Sequence, residues 1–244
     1  MNLFLSEFNI VNIDAVPNGG TCLIDGDIVL HACGHVSDKE GYDLTEACKC
    51  ISNMVNNIKN TLGLSEVKVF LSCSEYNFRN IAGISHIYKG NRKDTSKPSM
   101  YKDMKRYMLD LGAHVANGAE ADDALGLAQT KNTVICTIDK DLDMIEGVHY
   151  NWKHRKVYTV SRFEAQVFFY TQMLTGDSTD NIKGIYGIGK KKSFDLLREC
   201  VDEDELHAVV LDLYRNEFED NYKVRFKENV SLLMISGAPI RSIH

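Results

Sequence analysis

Apolar residues fall into two kinds of pattern along this chain. Short unbroken runs at Thr21-Cys22-Leu23-Ile24-Asp25, Val67-Lys68-Val69-Phe70-Leu71 and Thr133-Val134-Ile135-Cys136-Thr137-Ile138 predict buried strands. A further short strand is expected over Lys156–Val160. Between these runs the apolar positions recur at helical spacing: Met54, Val55, Ile58 and Leu62 mark a helix over Leu44–Leu62. Similar patterns cover Met100–Leu111, Glu120–Thr130 and Arg162–Leu174, and from Gly176 onward the chain reads as helices joined by glycine-rich turns. Residues 1–20 carry no strong periodicity and close on Pro17-Asn18-Gly19-Gly20, a turn signal. Strands alternating with helices imply an α/β fold, a mostly parallel sheet flanked by helices, with a helical module at its C-terminal end. The partition expected is an extension over 1–20, an α/β core over 21–160 with a basic region at about 75–110, and a helical domain over 161–244.

With 244 residues, 44% hydrophobic and 25% charged, the composition is that of a globular protein able to bury a core without staples. No apolar run approaches the roughly 18–20 residues that span a bilayer. Met1-Asn2-Leu3-Phe4-Leu5-Ser6-Glu7 lacks the basic and apolar regions of a signal peptide, so a cytoplasmic location and no membrane partner are expected. The seven cysteines are scattered without a C-x-x-C pair, which predicts reduced, buried thiols and no zinc site.

The net charge of −6 argues superficially against nucleic acid, but its distribution does not. Between Tyr88 and Arg106 the basic residues Lys89, Arg92, Lys93, Lys97, Lys102, Lys105 and Arg106 meet only Asp94 and Asp103. A basic strip on an acidic protein suits a grip on a phosphate backbone beside a metal-binding pocket; a solvated basic helix gives the same composition.

The acids are the most informative feature. Asp25 ends the first predicted strand and is followed by Gly26-Asp27, while Asp139 and Asp141 follow the Thr133–Ile138 strand. In a parallel α/β sheet ligands bind outside the carboxyl ends of the strands, so both groups are expected at one crevice. Glu120, Asp122 and Asp123 open a predicted helix, where the helix dipole accounts for one or two acids but less easily for three. Asp177 and Asp180 stand three apart in Gly176-Asp177-Ser178-Thr179-Asp180-Asn181. Like charges gathered in this way are costly unless cations neutralise them. All-oxygen donors without cysteine or histidine suit Mg²⁺ or Mn²⁺, and two such ions about 3.5–4 Å apart can drive phosphodiester hydrolysis. Asp143 reads as a turn acid and Asp27 as a supporting residue; His31, His35, His86, His114, His149 and His154 fall in no ligand spacing and read as structural.

Residues 181–192, Asn181-Ile182-Lys183-Gly184-Ile185-Tyr186-Gly187-Ile188-Gly189-Lys190-Lys191-Lys192, carry the pattern G-apolar-x-G-apolar-G. Gly184, Gly187 and Gly189 permit tight turns and close approach to phosphate, and a helix opening near Lys190 and Lys191 adds its N-terminal dipole. Ile185 and Ile188 are expected to pin the hairpin. Such contacts hold the backbone of a duplex without reading its sequence.

Taken in order, Leu23-Ile24-Asp25-Gly26-Asp27, Phe78-Arg79, Tyr88-Lys89-Gly90-Asn91-Arg92, Glu120-Ala121-Asp122-Asp123, Asp139-Lys140-Asp141 and Gly176-Asp177-Ser178-Thr179-Asp180-Asn181 resemble the 5′-nuclease superfamily of flap endonucleases and 5′–3′ exonucleases, with bacteriophage-encoded members the most similar. The match spans roughly residues 21–200. It implies a PIN-like nuclease core, a basic arch, a helix-three-turn-helix at 181–192, and divalent-metal hydrolysis of DNA at 5′ ends or 5′ flaps during replication, in the host cytoplasm for a phage-encoded chain. By resemblance Asp25, Glu120 and Asp122 hold a first cation, Asp123 works close to both sites, and Asp139, Asp141, Asp177 and Asp180 surround a second. Lys89 and Arg92 steady the scissile phosphate, with Arg79, Tyr88 and Lys93 on the nucleic acid. Gly184, Gly187, Gly189, Lys190 and Lys191 hold duplex phosphates, with a potassium ion on the hairpin carbonyls. A monomer acting on duplex DNA, with single strand passing through the arch, is the implied assembly.

One departure stands out. The family places an aspartate after its second strand, whereas Leu71-Ser72-Cys73-Ser74-Glu75-Tyr76-Asn77-Phe78-Arg79 has none, leaving Glu75 or Asp27 as substitutes or a weaker first site. Two rival readings keep the fold: a nuclease preferring RNA or an RNA–DNA hybrid, and a DNA-binding protein that has lost catalysis.

Overall fold

A computed structural model of the chain describes residues 13–85, 87–91 and 96–241. In chain order the strands are β1 (Thr21–Asp25), β2 (Glu66–Leu71), β3 (His114–Val115), β4 (Thr133–Cys136), β5 (Gly147–Asn151), β6 (Lys156–Val160), β7 (Gly176–Asp177) and β8 (Ile182–Lys183). The α-helices are α1 (Gly26–Glu40), α2 (Leu44–Leu62), α3 (Arg79–Ala82), α4 (Tyr101–Asp110), α5 (Ala121–Ala128), α6 (Arg162–Thr175), α7 (Lys190–Leu197), α8 (Glu203–Phe218) and α9 (Tyr222–Leu233). The chain forms two compact units. The first comprises Met1–Cys73, Ser96–Leu142 and Gly147–Val160, and the second Ser74–Thr95, Asp143–Glu146 and Ser161–His244. The basic stretch at 75–110 is therefore divided, its first part belonging to the second unit and α4 to the first.

The first unit is built on a six-stranded sheet in the order β3-β2-β1-β4-β5-β6, parallel except where β6 returns antiparallel on β5. β1 lies between β2 and β4, Ile24 pairing with Val69 on one side and Cys136 on the other. A strand buried on both faces needs no polar alternation, which is why its sequence reads as one apolar run. Because side chains alternate along a strand, Cys22 and Ile24 share one face with Val134 and Cys136. That face is covered by Val29, Leu30 and Cys33 of α1, Ala47, Ile51 and Ile58 of α2, and Met104 and Met108 of α4. Leu23 and Ile135 point the other way and are fully buried, and α5 packs against β1 and β2. The cysteines are all free thiols.

Local chemistry fixes the helix ends. Asp43 and Glu46 form a reciprocal capping box at the start of α2, and Gly63 ends that helix in a left-handed conformation with φ 65°. α1 had no counterpart in the sequence pattern. Its apolar residues are interleaved with His31, Gly34 and His35, and Gly26 and Asp27 follow the strand so closely that the run reads as a loop. It forms because Asp25 caps it, its carboxylate accepting from the Ile28 N–H at 3.2 Å. β5 was likewise not expected, since its Gly147-Val148-His149-Tyr150-Asn151 sequence shows neither a run nor an alternation.

In the second unit α6, α7, α8 and α9 pack together, with Phe169, Tyr170, Met173, Val210, Tyr214 and Phe226 buried among them. Tyr214 donates to the Met173 carbonyl at 2.7 Å and accepts from Asn229 at 2.7 Å, so its buried hydroxyl is satisfied on both sides. No helix among the described residues is long and apolar enough to cross a membrane.

Candidate active site

In the first unit the acids stand where the strands end. Asp25 closes β1 and is only 2% exposed. Besides the Ile28 N–H, it accepts the Thr137 hydroxyl at 2.9 Å, and that same hydroxyl oxygen accepts the Asp139 N–H at 3.0 Å. Asp139 in turn accepts the Asp141 N–H at 3.0 Å. One threonine just past β4 thus joins the acid of β1 to the acids that follow β4. Burial, then the neighbouring Asp27 and Asp139 carboxylates, push the Asp25 carboxyl up to about 7 against the pull of Ile28 and Thr137.

Ser72, the first residue beyond β2, joins three further elements. Its N–H donates to Asp27 Oδ2 at 3.0 Å, its hydroxyl accepts the Ala121 N–H at 2.9 Å, and its carbonyl accepts Lys105 Nζ at 3.0 Å. α5 is therefore anchored to the end of β2 with Glu120 at its cap and Asp122 and Asp123 in its first turn. Asp123 is buried and accepts the Glu120 N–H at 3.2 Å. Neither Ser72 nor Thr137 carries a sequence signal that separates it from any other strand-end hydroxyl.

In the second unit Asp177 lies in β7 and Asp180 in the turn to β8. Asp180 accepts the Tyr88 hydroxyl at 2.8 Å and pairs with Lys89 Nζ at 3.7 Å, while its carbonyl accepts the Lys89 N–H at 2.9 Å. Asn91 donates to the Ser178 carbonyl at 2.7 Å and Asn181 to the Ile87 carbonyl at 2.9 Å. The basic segment is clipped in this way to the turn that carries its acids. Tyr88 is 5% exposed, its ring buried and unavailable as a stacking surface. Arg79, expected on nucleic acid, is 2% exposed and donates to the carbonyls of Leu232 at 3.0 Å and Met234 at 2.9 Å, tying down the end of α9. Arg92 and Lys93 lie outside the described residues.

The hairpin after β8 has the construction its glycines imply. A Cβ on Gly184 would meet the Leu174 carbonyl oxygen at 2.3 Å and Gly176 N at 2.4 Å, so β7 and β8 approach through bare backbone. Gly187 has φ 72°, and Ile185 and Ile188 are buried beneath the turn. α7 opens at Gly189 without a side-chain cap hydrogen bond. Lys190, Lys191 and Lys192 are exposed around that end.

The donor set fits a hard divalent cation: carboxylate oxygens, a buried acid with a raised pKa, and Asp27 Oδ1, which is buried and accepts no hydrogen bond. Among the described residues no three Asp, Glu, His or Cys side chains already form a cation-holding group. Several of these carboxylates are instead turned to backbone N–H donors, as Asp139 is to Asp141 and Asp177 to the Thr179 N–H at 2.7 Å.

A mostly parallel sheet with acids at the carboxyl ends of β1 and β4 and in the first turn of α5 is a PIN-like fold. No protein-family profile matches the chain. It is 32% identical over 145 residues to a 5′-3′ exonuclease of Mycoplasma pneumoniae, covering 50% of this chain and 50% of that protein. It is 27% identical over 203 residues to a 5′-3′ exonuclease of Buchnera aphidicola subsp. Baizongia pistaciae, covering 72% of this chain and 65% of that one. The chain thus spans between half and about two thirds of the length of these curated relatives. Among solved structures, a bacteriophage T5 protein co-crystallised with metal ions superposes with a TM-score of 0.62 at 15% identity over 89% of each chain. The T5 flap endonuclease in a complex with DNA and metal ions gives a TM-score of 0.57 at 15% identity, over 87% of this chain and 98% of that one. The chain is thus similar in sequence to proteins named 5′-3′ exonuclease and shares the fold of the T5 structures.

Proposed function

We propose that the protein is a divalent-cation-dependent nuclease that hydrolyses DNA from 5′ ends or at 5′ flaps. The observation that carries this reading is the buried Asp25 carboxyl at the end of β1, joined through the Thr137 hydroxyl to the Asp139 N–H beyond the adjacent parallel β4 and raised to about 7 by burial first and then by the Asp27 and Asp139 charges. A carboxyl buried beside other acids is costly to the fold, and a bound cation offsets that cost. The relationship to chains named 5′-3′ exonuclease and the metal ions in the T5 structures support the same reading.

In this proposal Asp25, Glu120 and Asp122 hold a first Mg²⁺ or Mn²⁺, with Asp123 behind them, and Asp139 and Asp141 of the first unit and Asp177 and Asp180 of the second are each further cation ligands. Bound there, the cations would supply Lewis-acid activation of water and neutralise charge on the leaving oxygen. Thr137 fixes the orientations of Asp25 and Asp139 together, and Ser72 holds α5 in register with β2. Lys89, held beside Asp180, and Arg92 place positive charge on the scissile phosphate. Gly184, Gly187, Gly189, Lys190 and Lys191, with Lys93 and a potassium ion on the hairpin carbonyls, grip the duplex backbone, and the protein acts as a monomer.

The test is cleavage of a 5′-flapped duplex labelled at either end, in Mg²⁺ and in Mn²⁺, with EDTA and Asp139→Asn as controls. Products from the 5′ end or near the junction, lost in both controls, are expected. Tight DNA binding without cleavage in either metal would sink the proposal and leave a binding protein of the same fold.

A further inference from the structure

Asp27 is only partly explained by its place in the fold. As an acid in the first turn of α1 it suits the helix dipole, and its Oδ2 accepts the Ser72 N–H at 3.0 Å. Its Oδ1 is different. That oxygen is buried and has no hydrogen-bond partner, in a fold that satisfies most of its other buried polar atoms. A carboxylate oxygen withdrawn from water without a donor is costly, and the cost grows where other acids share the space. Asp25, the N-cap of the same helix, is such a neighbour.

The bond to Ser72 gives the position a second meaning. Ser72 is the residue immediately after β2, and the stretch from Ser72 to Asn77 contains no aspartate. Glu75 is exposed, whereas Asp27 reaches the end of β2 from the neighbouring helix and fixes one oxygen there, leaving the other buried and unpaired. We infer that Asp27 is a ligand of the first cation, its Oδ1 completing beside Asp25 the oxygen set that the chain does not supply from the segment after β2. This rests on the divalent-cation reading given above and deepens it by assigning a ligand particular to this chain.

The experiment reads metal binding rather than turnover. Mn²⁺ is titrated by calorimetry into the full chain without DNA, and melting is followed in EDTA and in Mn²⁺, for the wild type, Asp27→Asn, Asp27→Ser, Glu75→Gln and Asp139→Asn. Asparagine can still accept the Ser72 N–H, so Asp27→Asn should melt in EDTA no earlier than the wild type. Its Mn²⁺ affinity should fall about tenfold or more, and the Mn²⁺-induced rise in melting temperature should shrink, while Glu75→Gln behaves as wild type. Asp27→Ser keeps a small side chain suited to a first helical turn and should lose Mn²⁺ equally, which carries the test should Asp27→Asn fold poorly. Wild-type Mn²⁺ affinity in a folded Asp27 variant, with Asp139→Asn weakened, overturns the assignment of Asp27 alone. No Mn²⁺ binding by the wild type overturns the cation reading itself.

Discussion

At the scale of single residues, Asp25 works against the fold that holds it. Its carboxyl is raised from 3.8 in the unfolded chain to about 7, so between these values the folded state binds more protons than the unfolded one. The contribution of Asp25 to the stability of the metal-free protein should therefore fall as pH rises from about 4 towards about 7 and level off above that. Urea unfolding of the wild type and Asp25→Asn in EDTA across this range checks the sign; a wild-type midpoint that rises relative to that of the variant would show that Asp25 is not held as described. Asp25→Asn should melt later than the wild type in EDTA and yet lose cleavage. Thr137 belongs to the same scale. Thr137→Val keeps the shape but removes the hydroxyl that joins Asp25 to the Asp139 N–H, and should lower kcat by roughly ten- to a hundredfold while the protein stays folded. A wild-type rate would make the threonine incidental. That Asp25, Asp139 and Asp141 stand at strand ends was legible in the sequence, because the apolar runs before them mark the strands. The parts played by Thr137 and Ser72 were not, because a strand-end hydroxyl has many structural uses, and only the three-dimensional meeting of β1, β2, β4 and α5 selects these two.

At the scale of elements, legibility followed periodicity. β1, β6 and α2 lie where their apolar patterns place them, with the same ends. α1 escaped because its buried face includes Gly34, whose missing Cβ makes room for Pro98; an added Cβ would stand 2.5 Å from that ring. Reading a glycine as a packing contact requires knowing what lies across from it. The same limit applies to Gly184, read in the sequence as a phosphate-approach glycine. The structure adds a second reason, the backbone contact with Leu174 and Gly176. Gly184→Ala should therefore destabilise the protein by about 1–3 kcal/mol, measured by denaturant unfolding, through overpacking against atoms that cannot turn aside. Gly189, with open space around its Cβ position, should accept alanine without that loss. At the next turn, Lys191→Glu should weaken duplex binding and reduce the slope of log affinity against log salt by about one. An unchanged slope would remove α7 from the grip.

At the scale of the whole molecule, the chain forms two compact units, and the described residues of 74–91 fall in the same unit as α6 to α9. Propensity could not show this, since the segment has only the short helix α3. What holds it in the second unit is a set of polar ties that a linear pattern cannot display. Arg79 reaches the carbonyls that follow and end α9, and Glu228 of α9 gathers the Ile84 and Ser85 N–H groups at 2.6 Å each and the Ser85 hydroxyl at 2.7 Å. Arg225 adds an ion pair at 2.8 Å to the same carboxylate, whose side chain is fully buried. Burial alone would raise the Glu228 pKa, yet these donors outweigh it and hold the carboxyl below its usual value. A depressed carboxylate stabilises the fold at neutral pH and releases that stability as pH falls through its folded-state value, the opposite sense to Asp25. Glu228→Gln removes the charge that draws in four donors while preserving the shape. The variant should be less stable than the wild type at neutral pH, with the difference narrowing on acidification as the wild type loses the same charge. Because 74–91 carries Tyr88, Lys89 and Asn91 to the Asp180 turn, protease sensitivity of that segment should rise in the same variant. Equal stability at neutral pH, or unchanged proteolysis, would mean that the basic segment is held by its contacts with the 177–181 turn and not by α9.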